Sequence, residues 1–264
     1  MSMALAFSDT AVVTKRNLIK IKRVPEILIW TTMSPIMFVL LFAYVFGGSI
    51  EIPNYREYLI AGVFAQTVIF GSTFTGAGLA DDMTKGIIDR FRSLPMSRTA
   101  VLAGRTASDI VYNSISILVM SLAGLVVGWR IHTGPIEAIG GFLLLLLFAY
   151  AVSWIMAFFG MKVSSLEVFQ NASFMFIMPV TFVANTFVTP QALPGPLQTF
   201  AEWNPLSAVA QAVREAFGNL PERVATPDVW SLQNPVWYSL IWVGIILAIF
   251  IPLSVRQYKK AATR

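Results

Sequence analysis

AIGGFLLLLLFAYAVSWIMAFFGM, residues Ala138–Met161, decides the fold class. A helix of about 20 apolar residues crosses the ~30 Å hydrocarbon core of a bilayer. This run is 24 residues long and carries no charge. In lipid the backbone must satisfy its own hydrogen bonds, so the run predicts a transmembrane helix. Strands of a membrane barrel would instead be segments of roughly 10 residues with alternating polarity. Five more charge-free runs of at least 20 residues flank it: Ile27–Ile50, Tyr58–Ala80, Ile110–Trp129, Val168–Ala201 and Val229–Val255. The expectation is an all-α integral membrane protein with six transmembrane helices, at about 27–48, 58–80, 107–128, 138–160, 168–188 and 235–255. Residues 1–26 would be a cytoplasmic N-terminus, 27–255 a single transmembrane domain and 256–264 a cytoplasmic tail.

Composition agrees. The 264 residues are 56% hydrophobic and 12% charged, about half the charge of an average soluble domain. Disorder is excluded by the same figures, since disordered chains are poor in apolar residues. The absence of cysteine removes disulfides, iron–sulfur clusters and thiolate chemistry. A single histidine, His132, speaks against histidine-based metal sites and catalysis.

Orientation follows from the 19 Lys and Arg residues. Numbering the spans and alternating their flanks puts 15 on one side, including Lys15–Arg23, Lys85–Arg105, Lys162 and Arg256–Arg264. The other side holds Arg56, Arg130, Arg214 and Arg223. The positive-inside rule makes the first side, and both termini, cytoplasmic. The net charge of +5 is therefore a topology signal rather than a nucleic-acid surface. No cleavable signal peptide is expected, because the basic cluster follows the short apolar start. Residues 10–24 read either as a helix at the cytoplasmic interface, with Ala11, Thr14, Leu18 and Ile21 as its apolar stripe, or as a plain basic tail.

The second cytoplasmic segment begins with Asp81 and Asp82, either of which could cap a short helix that Pro95 stops. Ile87, Phe91 and Leu94 share one face, rimmed by Asp89, Arg90 and Arg92. This is either a knob for a groove on a cytoplasmic partner or a loop packed on its own helix ends or on headgroups. The fifth run is too long for one span and is broken by Pro179, Pro190, Pro194 and Pro196. Val168–Val188 would cross with a kink at Pro179. Asn204-Pro205 then supplies an N-cap with proline at the first helical position. Leu206, Val209, Val213 and Phe217 share a face of that outer helix. Trp203, Trp230, Trp237 and Tyr238 suit the outer headgroup region.

Ion coupling and intramembrane chemistry lack their residues. Asp109 is the one ionisable group near a span interior, and Arg105 four residues earlier suggests an interfacial ion pair. No phosphate-binding G-x-x-x-x-G-K-[ST] occurs, so energy for transport would come from another chain. Gly71, Gly76 and Gly78, with Gly124 and Gly128, make small-residue faces for helix packing. Gln66, Asn171 and Asn185, with Phe70, Phe74, Phe174 and Met178, would suit an amphiphile as a path lining, and as ordinary interhelical packing they need no function.

These features resemble the ABC-2 family of ABC transporter permeases, particularly its daunorubicin-resistance DrrB-like branch, over essentially the whole chain. The segment Asp89-Arg90-Phe91-Arg92-Ser93-Leu94-Pro95-Met96-Ser97-Arg98 carries the resemblance most specifically. Leu193-Pro194-Gly195 and Asn204-Pro205-Leu206 carry it more loosely. The resemblance implies a half-transporter in a bacterial plasma membrane, with an N-terminal interfacial connecting helix and an outer re-entrant hairpin after helix five. It implies a coupling helix whose contacts are Ile87, Asp89, Arg90, Phe91, Arg92, Leu94 and Pro95. Two cytoplasmic ABC ATPase subunits would hold the ATP and Mg, and this chain would hold no cofactor and catalyse nothing. A second copy or a paralogous permease would complete the pair. The expected activity is export of a hydrophobic or amphiphilic lipid, polyketide or drug. An ATP-independent channel or secondary carrier is the alternative, and would need a polar or charged lumen.

Overall fold

In the computed structural model the charge-free runs become long helices. The structure describes residues 9–17, 19, 25–46, 52–87, 98–221 and 227–261. The helices are α1 (Pro25–Leu40), α2 (Tyr55–Thr84), α3 (Arg98–Val127), α4 (Pro135–Gly160), α5 (Leu166–Val183), α6 (Gly195–Glu202), α7 (Pro205–Phe217), α8 (Trp230–Gln233) and α9 (Pro235–Ala261). No strand occurs among the described residues. Among the described residues five helices, α2, α3, α4, α5 and α9, are long and apolar enough to cross a membrane. α1 has 16 residues and runs on into a π-helical turn, Leu41–Phe46. Pro35 inside α1 removes one backbone donor of that helix.

α2 is the hub. It packs against α4, α3, α7, α5 and α1, and 83% of its apolar window is buried, against 17% for α5. Two glycines allow its closest crossing. A Cβ on Gly160 would strike the Gly76 backbone, and one on Gly76 would strike the Phe169 ring and the Met156 carbonyl. The small-residue reading of this helix thus resolves into contacts with more than one neighbour, because Gly71 lies against Asn113 and Gly78 against Arg105, both on α3. The Gly124/Gly128 pair also separates. Gly124 packs within the chain, 3.4 Å from an Ile60 methyl for an added Cβ, whereas Gly128 takes a left-handed φ of 103° just past the end of α3.

At the Tyr55 end of α2 an aromatic cluster ties the loops to the core. Phe64 and Phe217 meet Trp129 edge-on, with centroids 5.3 and 5.4 Å away. The Trp129 indole donates to Asn219 Oδ1 at 2.7 Å, and Asn219 Nδ2 donates to the Arg130 carbonyl at 2.8 Å. α7 is capped by Asn204, whose side chain accepts from the Leu206 N–H at 2.9 Å. Its apolar face, Leu206, Val209, Val213 and Phe217, is fully buried in this core rather than turned to lipid. Trp203 and Trp230 ring Tyr238, whose hydroxyl donates to the Trp203 carbonyl at 2.7 Å.

Two readings change at the opposite end. Asp81 and Asp82 do not open a new helix: they lie in the last turn of α2, and Gly86, with φ 64°, follows its end. Burial explains the difference, since Asp82 is 4% exposed and forms an ion pair with Arg105 of α3. The helical residues 9–17 dock on α3 through Val13, Asn17 and, of the expected stripe, Thr14, whereas Ala11 of that stripe is exposed. Gly104 makes this possible, because a Cβ there would sit 2.7 Å from the Val13 Cβ. Leu18 and Ile21 of that stripe lie outside the described residues.

Candidate functional site

α2 and its neighbours enclose two cavities, one above the other along the helix. The upper one, toward Tyr55, has a volume of about 430 Å³. α1 contributes Pro35 and Phe38, α2 Gln66, Phe70 and Phe74, α3 Tyr112 and Ser116, and α5 Phe174 and Met178. Its wall is mainly aromatic and apolar, as small-molecule sites are. Gln66 is 3% exposed, yet its Nε2 has no hydrogen-bond partner among the described residues. An amide donor left alone in an apolar wall is unfavourable by about 1–3 kcal/mol, so it calls for an acceptor on a guest or a water.

The lower cavity, about 450 Å³, lies toward Thr84 and is the more polar of the two. Asp81, Lys85, Arg105, Ser108 and Asp109 line it, with Asn17 from the N-terminal segment. Lys85 closes on Asp81 at 2.8 Å. Arg105 turns to Asp82, which Arg16 also approaches at 3.9 Å. The expected Arg105–Asp109 pair is therefore not formed. Asp109 accepts the Thr75 backbone N–H at 3.2 Å instead.

A third polar cluster sits beside the Tyr55 end of α2, outside both cavities. Arg214 of α7 is fully buried. Its Nε donates to the Tyr58 carbonyl at 3.0 Å, its Nη2 donates to the Thr186 carbonyl at 3.1 Å, and its guanidinium stacks 3.5 Å from the Tyr58 ring centroid. Burial pushes the guanidinium down from its ordinary value. The Tyr58 hydroxyl donates to Asn185 Oδ1, the Asn185 amide N–H donates to Ser207 Oγ at 2.8 Å, and Asn185 Nδ2 donates to Gln211 Oε1 at 3.3 Å. Gly62 completes the cluster: an added Cβ would collide with the Thr186 carbonyl and come within 2.8 Å of Arg214 Nη2.

The sequence pattern of the family described as ABC-2 type transporter matches residues 8–217. The chain belongs to that family. It is similar to the daunorubicin resistance ABC transporter permease protein DrrB1 of Streptomyces coeruleorubidus, with 32% identity over 97% of this chain and 88% of that protein. A probable doxorubicin resistance ABC transporter permease protein, DrrC of Mycobacterium tuberculosis, is 23% identical over 98% of this chain and 91% of its own length. The chain is thus a transmembrane permease of an ABC transporter.

Of the residues proposed from sequence for a path through this permease, five share one cavity: Gln66, Phe70, Phe74, Phe174 and Met178. Asn171 is exposed on α5, and Asn185 is bound into the Arg214 cluster, so the structure does not bring these two to the others. Of the proposed coupling residues, Ile87 is described, half-buried, just past α2. Asp89, Arg90, Phe91, Arg92, Leu94 and Pro95 lie outside the described residues. His132 is 53% exposed in its side chain and meets Glu57 at 2.9 Å. Sequence reasoning did not single out Tyr112, the ion pair of Asp82 with Arg105 or the burial of Arg214. A signal existed for the last: Ser207-Ala208-Val209-Ala210-Gln211-Ala212-Val213 has no charge on any face, the pattern of a helix buried all round, and Arg214 continues it.

Proposed function

We propose that this permease is the membrane half of an ATP-driven exporter in a bacterial plasma membrane, and that its substrate is a hydrophobic or amphiphilic lipid, polyketide or drug. The observation that carries the reading is the upper cavity: about 430 Å³, walled by Phe38, Phe70, Phe74 and Phe174, with the lone Gln66 amide inside. Such a wall accommodates a large apolar body, and one unspent donor orients it. The names of the relatives, which speak of daunorubicin and doxorubicin resistance, support a drug-like substrate. Gln66, Phe70, Phe74, Phe174 and Met178 form the path in this reading, with Asn171 facing outward toward a second permease copy or paralogue. Asn185 holds the outer end.

The remaining architecture is part of the same proposal. Pro25–Phe46 is the first of six spans, both termini are cytoplasmic, and residues 27–255 are one domain between the N-terminal segment and a cytoplasmic tail. The outer elements α6 and α7 form a re-entrant hairpin. No phosphate-binding loop occurs in the sequence, so ATP and Mg reside on two cytoplasmic ATPase subunits. Ile87, Asp89, Arg90, Phe91, Arg92, Leu94 and Pro95 seat in those subunits. The poorly covered face of α5 leaves room for the second permease. ATP binding drives transport because it favours one of two arrangements of the permease pair over the other.

The test is co-purification and transport with the cognate ATPase. Phe91→Asp should insert normally but lose the ATPase and ATP-dependent efflux from inverted vesicles. Retention of the ATPase and of efflux by this variant would sink the coupling assignment.

A further inference from the structure

The lower cavity is built from α2 and the Lys85 that follows it, from α3 and from α5, except at one place, where Asn17 of the N-terminal segment forms part of the wall. That segment, helical over residues 9–17, is seated on α3 at a notch. Val13 is buried there against Gly104, where a Cβ would sit 2.7 Å from the Val13 Cβ and 3.0 Å from the Thr10 carbonyl. Beside the notch the Thr14 hydroxyl donates to the Gly104 carbonyl at 3.2 Å, Asn17 Nδ2 donates to Ser108 Oγ at 3.2 Å, and Arg16 approaches Asp82 at 3.9 Å. The helix groups in these contacts each have a second, closer partner. Ser108 Oγ donates to the Gly104 carbonyl at 2.6 Å, and Asp82 pairs with Arg105. The Thr14 hydroxyl likewise reaches the Thr10 carbonyl of its own segment at 2.8 Å. Breaking the seat therefore strands none of these buried polar groups, which is the usual penalty for pulling a packed contact apart. Val13 is the one fully buried side chain among residues 9–17.

We propose that residues 9–17 are a displaceable cover on the lower cavity, and that their undocking from α3 opens this cavity to the cytoplasm. The inference rests on the orientation in the transport reading above and adds to it a regulated entrance. Two states of similar free energy are what a cover needs, since a small bias then shifts the population between them. The seat meets that condition, because its polar groups are satisfied both docked and undocked. The bias has a route. Arg16 ties the cover to Asp82 in the last turn of α2, and Ile87, the first of the proposed coupling residues, lies just past that turn. A 3.9 Å ion pair from a half-exposed arginine is weak. A shift of the α2 end therefore loosens Arg16 before it disturbs the closer Asp82–Arg105 pair. Opening admits water to the lower cavity, whose lining includes Asp81, Lys85 and Arg105. The upper cavity stays behind Phe74 and Tyr112, which line both spaces with ring centroids 4.5 Å apart. The cover thus controls the first of two compartments and leaves the second to the ring pair.

The chain has no cysteine, so an introduced thiol is the sole reactive site. The experiment uses the full-length permease with its cognate ATPase in inverted membrane vesicles, whose outer face is the cytoplasmic one. Ser108→Cys, beneath Asn17, is labelled with a membrane-impermeant maleimide. Adding Gly104→Val fills the notch and should raise the labelling rate at least tenfold, with an unchanged gel-filtration profile. An unchanged rate in that folded variant overturns the proposal. The second arm needs no filled notch. Asn17→Cys with Ser108→Cys is cross-linked by a short bifunctional thiosulfonate, which holds the cover down. ATP-dependent efflux should fall at least fivefold on cross-linking and return on reduction, each vesicle preparation serving as its own reference. Undiminished efflux from the cross-linked pair overturns the proposal even if Gly104→Val does not fold. The transport reading fails separately: if no ATPase associates while Gly104→Val still speeds the labelling, the coupling is wrong and the cover stands. If efflux is ATP-dependent and indifferent to the cross-link, the cover is wrong and the transport reading stands.

Discussion

Replacing Arg214 by lysine should harm the permease more than replacing it by methionine. The guanidinium makes two hydrogen bonds, to the carbonyls of Tyr58 and Thr186, and lies over the Tyr58 ring, with no exposed surface. Hydrogen bonds to a charged donor contribute about 1.5–3 kcal/mol each. A desolvated cation–π contact adds roughly 2 kcal/mol. Against these stands the desolvation of a buried charge, several kcal/mol even after relaxation. Methionine gives up both sides of that balance. It abandons the Thr186 carbonyl, whereas the Tyr58 carbonyl lies in α2 and keeps its helical acceptor role. The net loss should be small, about 1–3 kcal/mol for one orphaned acceptor. Lysine retains the charge and its desolvation but has no planar fork to reach two carbonyls while lying on a ring. Leaving a buried charge underpaired is destabilising by about 3–5 kcal/mol. For a chain of this size each kcal/mol shifts the midpoint by roughly 2–4 °C. The assay is the apparent midpoint by intrinsic tryptophan fluorescence in detergent, at one fixed scan rate because unfolding of such proteins is commonly irreversible. Lysine should fall below methionine. The reverse order would refute the reasoning, since it would mean that charge at this position matters more than geometry.

Three further outcomes follow from the packing. Gly160→Ala should lower the same midpoint by several degrees and reduce monodispersity on gel filtration, because its Cβ meets the rigid backbone of Gly76 rather than a movable side chain. Asp82→Asn and Arg105→Gln should each be strongly destabilising, and the double variant should recover part of the loss; strict additivity of the two would contradict a direct pair. Trp129→Phe should lose about 1 kcal/mol through the Asn219 bond while keeping most of its ring contacts, read as a modest midpoint drop.

Five long apolar helices were legible in the sequence because hydropathy is a local property. A charge-free run of more than 20 residues has few alternatives to a helix in lipid, and Ala138–Met161 lies almost wholly within α4. The Asn204-Pro205 cap was legible for the same reason, since an N-cap acts across three residues. What could not be read were relations between segments. Asp81 and Asp82 look like a helix start when the chain is followed in order. They become a helix end because Arg105, 23 residues away, draws Asp82 inward. Asp109 looks paired with Arg105 by spacing alone, but Arg105 has a second carboxylate within reach. Gly124-x-x-x-Gly128 reads as one packing motif, yet one glycine meets Ile60 and the other turns the chain.

The candidate site divides along the same line. Five path residues converge because they lie on helix faces whose periodicity the sequence displays. The two that do not converge, Asn171 and Asn185, are polar residues whose partners lie in other segments or outside the chain. A chain with 12% charged residues has few charges to place, and a buried one survives only where its partners are supplied. Asp82 finds arginine and Arg214 finds two carbonyls and a ring. Both thereby become joints between helices, with the Arg214 Nη1 donor left without a hydrogen-bond partner among the described residues. Asp109 instead accepts the Thr75 N–H and lines the lower cavity beside Arg105, whose guanidinium is turned to Asp82.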